Sequence, residues 1–179
     1  MDKLFDYNIK DIKKYSIYEI LNERENRVRL ISLLEEKYKC TIISLRVNYP
    51  GENKCNNISI GVCTIIGKEL LREFKNYLNV QWYLGAEGPI FIMAVHGKPY
   101  EIKKAALSIE DKHPLGRLVD IDVYSQGSGI SRKDLNMPPR KCFICEDSAH
   151  NCARSRKHSL EEIEEFIKLK YNDYINKQI

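Results

Sequence analysis

Apolar and polar positions follow two different rhythms along this chain. In "SIYEILNERENRVRLISLLEEKYK", Ile17, Leu21, Val28, Ile31 and Leu34 recur at helical spacing, which predicts a helix from about 17 to 39. Ser16, followed three residues later by Glu19, makes a capping box at its start. "CTIISLRVNYPG" then alternates: Ile43, Leu45 and Val47 point one way, Ser44, Arg46 and Asn48 the other, and Pro50 and Gly51 end the run. "CTIIGKELLREFKNYLN" reads as a second helix. "VQWYLGAEGPIFIMAV" reads as two strands broken at Glu87, Gly88 and Pro89. "KPYEIKKAALSIEDKH" reads as a third helix. "RLVDIDVYS" alternates again, with Val119, Ile121 and Val123 on one face and Leu118, Asp120, Asp122 and Tyr124 on the other. "SQGSG" reads as a turn into a basic, proline-containing loop. A final helix, "HSLEEIEEFIKLKYNDYINK", has Ser159 and Glu162 as its capping box and Leu160, Ile163, Ile167 and Tyr171 as its apolar stripe. The first fourteen residues are mixed and read as a short element or a frayed arm.

The middle of the chain is therefore ordered β-α-β-β-α-β. We expect an α+β fold built on a ferredoxin-like, palm-like sheet with added N- and C-terminal helices. Helices would cover one sheet face and leave the other open. The last strand would lie beside the first, so Arg46, Asn48, Asp120 and Asp122 would be neighbours on that open face. The expected organisation is a single catalytic domain, 1–179, in three parts. These are a helix and sheet core over 16–125, a basic, Cys-rich loop over 126–158, and a C-terminal helix over 159–179.

With 179 residues and 43% hydrophobic content, one domain with a real core is expected. No apolar run approaches the roughly 20 residues that span a bilayer. "MDKLFDYNIKDIKKY" lacks the apolar core of a signal peptide, so a soluble, cytoplasmic protein is expected. The net charge of +4 is modest and does not point to nucleic acid. Its distribution matters more. Arg132, Lys133, Arg140, Lys141, Arg154, Arg156 and Lys157 face only Asp134, Glu146 and Asp147 between 132 and 158, a local patch suited to a phosphate-bearing partner.

Three sets of residues carry candidate chemistry. Strands disfavour Asp, so Asp120 and Asp122 on one strand face are unusual. They could converge on one Mg2+ ion, which takes one or two carboxylates together with substrate phosphates. The bland alternative is a solvated face salt-bridged to Arg46 or Arg117. Of the six cysteines, Cys142, Cys145 and Cys152 crowd together, and with His158 they have the spacing of a closed structural zinc site. His150 competes as the fourth ligand, and three free thiols are the alternative. Cys40 and Cys63 read as core, and His96 and His113 as structural. The cations Arg132, Arg140, Arg154, Arg156 and Lys157 could grip phosphate, or merely be solvated. Arg24, Arg27 and Lys54 carry the same ambiguity. Glu87 reads as a third acid or as a turn residue.

Several stretches together resemble one family. They are "RENR" at 24–27, "NYPG" with Lys54, "GAEGP", "HPLGRLVDIDV", "ISRKDLNMPPRKCFIC" and "CARSRKHSLEE". In this order and spacing they are similar to the citrate lyase holo-acyl-carrier-protein synthases, also called apo-citrate lyase phosphoribosyl-dephospho-CoA transferases. The similarity runs from about 15 to 165. It differs at "NYPG", where the usual form is "NIPG". The resemblance implies a nucleotidyltransferase. Such an enzyme moves phosphoribosyl-dephospho-CoA from triphosphoribosyl-dephospho-CoA to a serine of the citrate lyase acyl carrier protein (gamma chain), and pyrophosphate leaves. Asp120 and Asp122 would be catalytic and hold Mg2+. Arg46, Lys54, Arg117, Arg132, Arg140, Arg154 and Arg156 would bind the substrate phosphates or, for the last two, steer an acidic carrier protein. No nucleic acid and no membrane is expected as a partner. The rival readings are transfer to the malonate decarboxylase carrier protein, a nucleotide polymerase or cyclase palm, and a zinc-knuckle adaptor without catalysis.

Overall fold

The computed structural model describes residues 2–7 and 12–178. It is an α+β protein with one five-stranded antiparallel sheet. Helix α1 spans Ile17–Tyr38, strand β1 Thr41–Val47, α2 Asn57–Glu73, β2 Tyr77–Gly85, β3 Gly88–Val95 and α3 Pro99–Lys112. Strand β4 spans Val119–Ser125, β5 Ser128–Ile130, α4 Ala149–Ser155 and α5 Leu160–Asn176. The strands lie side by side in the order β2-β3-β1-β4-β5.

Local sequence explains most of the boundaries. Ser16 caps α1 as expected, its hydroxyl accepting from the Glu19 N–H while the Glu19 carboxylate accepts from the Ser16 N–H at 2.8 Å. Helix α2 starts earlier than its apolar stripe suggests. The Asn56 side chain accepts from both Ile58 and Ser59 N–H groups at 3.0 Å, so the helix begins at Asn57, and the stretch from Tyr77 joins β2. "SQGSG" is more than a turn. Gln126 and Gly127 both take positive φ (54° and 74°), the two-residue turn that matches strand twist, and β5 returns beside β4. In the N-terminal segment, Phe5 packs between Trp82 and Phe91.

The strand alternation sorts the two faces. Ile43, Leu45, Phe91, Met93, Val119, Ile121 and Val123 are buried in the main core with Ile66, Leu70, Ala106 and Ile167 of the helices. The second face is less open than expected. Ile31 and Leu34 of α1 bury against Ile42, Ile90, Ile92 and Ala94, so α1 covers the β1–β3 side. Among the described residues, the strip of this face that carries Arg46, Asp120 and Asp122 stays partly exposed. The expected stripe of α1 is right in its second half only. Ile31 and Leu34 are buried, but Ile17, Leu21 and Val28 stay 58%, 51% and 49% exposed, because Arg27 takes the buried position instead. Cys63 is in the core as expected, whereas Cys40 is only partly buried.

Candidate active site and thiol cluster

The uncovered strip carries an unbroken chain of alternating charges. β1 and β4 pair so that Arg46 lies opposite Asp120 and Ser44 opposite Asp122. The Arg46 guanidinium reaches Asp122 at 3.1 Å and Asp120 at 3.8 Å. On its other side it meets Glu87, in the β2–β3 turn, at 3.6 Å. Glu87 holds Arg27 of α1 at 2.7 Å, with both side chains under 10% exposed. From Asp120 the chain continues to Arg140, then to Glu110 of α3. Arg132 ends it, bonded to Glu110 at 3.0 Å and Asp111 at 2.6 Å. Asp120 and Asp122 keep 31% and 37% of their side chains exposed. They open on a cavity of about 290 Å³ lined with Lys103, Glu110, Arg132 and Arg140.

The electrostatics follow from burial against pairing. Burial works against the charges of Arg140 and Arg27, but their carboxylate neighbours outweigh it and hold both pKa values above the ordinary arginine range. Lys54 and Lys103 go the other way. Burial lowers both, opposed by Glu87 at Lys54 and by Glu110 and Asp122 at Lys103. The Lys54 ammonium donates to the Tyr49 carbonyl at 2.8 Å. The main chain there lies against the β2–β3 turn, where a Cβ on Gly88 (φ +93°) would come within 2.7 Å of the Lys54 carbonyl oxygen. Only glycine allows that approach.

The other predicted cations separate into two groups. Arg117 reaches away from the aspartates and donates to the carbonyls of Lys141 and Cys142, so it ties the Cys-rich loop to the start of β4. Arg154 and Arg156 are exposed on and just after α4, and make no ion pair among the described residues. Lys157 pairs with Asp147 at 3.4 Å. His113 is structural as expected, its Nδ1 accepting from the Leu115 N–H at 3.0 Å. Glu110 and Lys103 were missed in the sequence. Their signal was charge on the buried stripe of α3, where they share a face with Ile102, Ala106 and Leu107.

The Cys-rich loop forms a knuckle. The Cys142 N–H donates to the Asp147 carbonyl at 2.7 Å, and Ser148 caps α4. This brings Cys142 and Cys145 from the turn, Cys152 from α4 and His158 from just before α5 together. Their ligand atoms all lie within 4.8 Å of one another. Cys145 and Cys152 sulfurs are 3.4 Å apart and His158 Nε2 is 3.3 Å from Cys145. A disulfide needs about 2.05 Å, and the edge of a zinc–thiolate tetrahedron is about 3.8 Å, so the spacing suits a metal. The cluster can hold one, and His158 rather than His150 completes it. Burial and the two neighbouring thiols push the Cys152 thiol up to about 12. Beside it an apolar cavity of about 660 Å³ runs between α4 and α5, with Arg156 and Leu160 among its lining.

An α+β protein with an arginine-laced carboxylate face and a thiol–imidazole knuckle is the class these features define. Family comparison is more specific: the profile of the apo-citrate lyase phosphoribosyl-dephospho-CoA transferases matches residues 15–174, and the chain belongs to that family. A relative in Vibrio cholerae serotype O1 (strain ATCC 39541 / Classical Ogawa 395 / O395), named as a probable apo-citrate lyase phosphoribosyl-dephospho-CoA transferase, is 35% identical. That match covers 89% of this chain and 93% of the relative. The Escherichia coli (strain SMS-3-5 / SECEC) apo-citrate lyase phosphoribosyl-dephospho-CoA transferase is 31% identical over 88% of this chain and 89% of its own length. The chain is thus a transferase of the kind that modifies apo-citrate lyase. Among the described residues no helix is long and apolar enough to cross a membrane.

Proposed function

We propose that this protein transfers phosphoribosyl-dephospho-CoA from triphosphoribosyl-dephospho-CoA to a serine of the citrate lyase acyl carrier protein. The serine oxygen forms a bond to the phosphorus nearest the ribose. The bond from that phosphorus to the pyrophosphate breaks, pyrophosphate leaves with the electron pair, and the proton of the serine hydroxyl is released to solvent. Such transfer depends on positioning and charge neutralisation more than on covalent help. The observation that carries the reading is the Asp120–Asp122 pair, part-exposed on a cavity and flanked by Arg46 and Arg140.

On this reading Asp120 and Asp122 hold Mg2+, which would neutralise the leaving pyrophosphate. Their shared strand face and their open side on the cavity fit such an ion. Arg46, Arg132 and Arg140 bind phosphate oxygens, exchanging carboxylate partners for substrate. Lys54 supports the same end of the strip, and Arg117 acts through the loop it holds. Arg154 and Arg156, exposed on the knuckle, steer the acidic carrier protein. Cys142, Cys145, Cys152 and His158 hold structural zinc. The order β2-β3-β1-β4 of the four longer strands supports a ferredoxin-like core with β5 added at one edge. The tie from Arg117 to the Cys-rich loop and the tie from Arg140, at the edge of that loop, back to Asp120 of β4 support one catalytic domain over 1–179. Thiol ligands need a reducing compartment, which supports the reading of a cytoplasmic protein.

The test is the intact mass of the carrier protein after incubation with this protein, Mg2+ and triphosphoribosyl-dephospho-CoA. A gain equal to phosphoribosyl-dephospho-CoA, abolished by EDTA, is expected. No gain with both proteins folded would overturn the reading. A gain only on the malonate decarboxylase carrier would move the acceptor.

A further inference from the structure

β4 pairs with β1 along the stretch that bears the aspartates, but β5 reaches it only at Val123, Tyr124 and Ser125. Among the described residues, no strand pairs with the outer edge of β4 beside the aspartates. Two ionised side chains from α3 take the place of one. The Ile121 N–H donates to Glu110 Oε1 at 2.7 Å, and the Ile121 carbonyl accepts from Lys103 Nζ at 2.8 Å. Lys103 and Glu110 lie two helical turns apart on one face of α3 and are 5% and 2% exposed.

Ile121 is the residue between Asp120 and Asp122. The peptide group on each side of it is therefore held by a charge-assisted bond, the stronger kind. Satisfying a sheet edge does not require this, because a neutral side chain or one more residue pair from β5 would serve. Burying an ammonium and a carboxylate is costly unless both are well paired. Here both also line the cavity onto which the aspartates open. The second oxygen of Glu110 binds Arg132 at 3.0 Å, and Arg140 bridges Glu110 to Asp120. Glu110 thus joins the strand, the helix and the basic loop at one point.

We propose that Lys103 and Glu110 are positioning residues for the transfer reaction. They clamp the backbone between Asp120 and Asp122 so that both carboxylates enter the cavity at a fixed separation and share one cation. The inference rests on the role given to the two aspartates above. A merely edge-sealing role would lower stability and leave the divalent-ion dependence untouched. A positioning role moves that dependence.

The experiment measures transfer to the carrier protein against Mg2+ concentration for wild type, Lys103→Met, Lys103→Gln and Glu110→Gln, with thermal unfolding of each. Glu110→Gln keeps size and a carbonyl acceptor, so it decides the matter if the lysine variants do not fold. The expected result is a rise of tenfold or more in the Mg2+ needed for half-maximal transfer. The KM for the precursor should change less than threefold. Asp120→Asn and Asp122→Asn run alongside. If they retain wild-type transfer, the reading of the aspartates fails. If they lose it while folded Lys103 and Glu110 variants keep wild-type Mg2+ dependence, the clamp alone is overturned.

Discussion

Arg46 and Asp122 meet at 3.1 Å although they are not opposite one another. The register puts Arg46 against Asp120, yet that pair stands at 3.8 Å. Asp120 is also held by Arg140, so Arg46 divides itself between the two carboxylates along the strand. The aspartates therefore differ. One is shared between two arginines, the other leans on one. Each presents part of its side chain to the cavity.

Substituting either carboxylate removes a preorganised charge at the reacting phosphates. Asp120→Asn and Asp122→Asn should each slow transfer by roughly 100-fold or more, read as the initial rate of mass gain on the carrier protein. Residual rates within threefold of wild type would exclude both from the chemistry.

Glu87 is the sole ion-pair partner of Arg27 among the described residues, and that arginine is 2% exposed. Glu87→Gln leaves a buried guanidinium unpaired, which costs about 3–5 kcal/mol. Urea unfolding should show the loss. The double variant Arg27→Met, Glu87→Gln should recover much of it, because the orphaned charge is gone.

Alkaline pH should weaken the fold through Cys63. Burial raises its pKa from 9.0 to about 12. The folded state keeps the proton where the unfolded chain gives it up. The stabilisation is complete below pH 9 and is lost as pH climbs to about 12. Over that window the linkage is worth up to about 4 kcal/mol. Cys63→Ala, less stable at neutral pH, should show a shallower decline from pH 9 upward. An unchanged slope would refute the linkage.

The knuckle should carry one equivalent of zinc, measured by elemental analysis of protein purified without chelator. His158→Ala and Cys145→Ser should lose it and His150→Ala should keep it, since His150 lies outside the cluster of ligand atoms. Zinc retained in the Cys145→Ser protein at wild-type stoichiometry would contradict the assignment.

Charge reversal on the knuckle separates partner steering from phosphate binding. Arg154→Glu with Arg156→Glu should lower the association rate with the carrier protein about tenfold at low salt and leave precursor affinity within twofold. An equal fall in both, followed by surface binding and by precursor titration, would mean that these arginines hold phosphate.

Capping signals and period-two alternation were legible in the sequence because they are local. Ser16 with Glu19, Ser159 with Glu162, and the alternation of Val119, Ile121 and Val123 fix elements and faces within a few residues. The spacing of Cys142, Cys145, Cys152 and His158 belongs with them, since a short turn and a short helix suffice to close that cluster. Asn56 was the local signal overlooked. A side-chain cap outweighed the β-branched residues after it.

What the alternation left open is which neighbour a face meets. Periodicity says that Ile42 shares a side of the sheet with Arg46, not that α1 will cover it and leave Asp120 and Asp122 uncovered. Nor does it say that Arg117 will turn to the Cys-rich loop while Arg140 turns to Asp120. Glu110 and Lys103 read as charged residues on a buried helix stripe until β4 arrives with the Ile121 backbone groups that they bind. Those choices lie between segments far apart in the chain. They are settled by which packing leaves the fewest buried charges and backbone groups unpaired, a condition that exists only once the whole sheet is assembled.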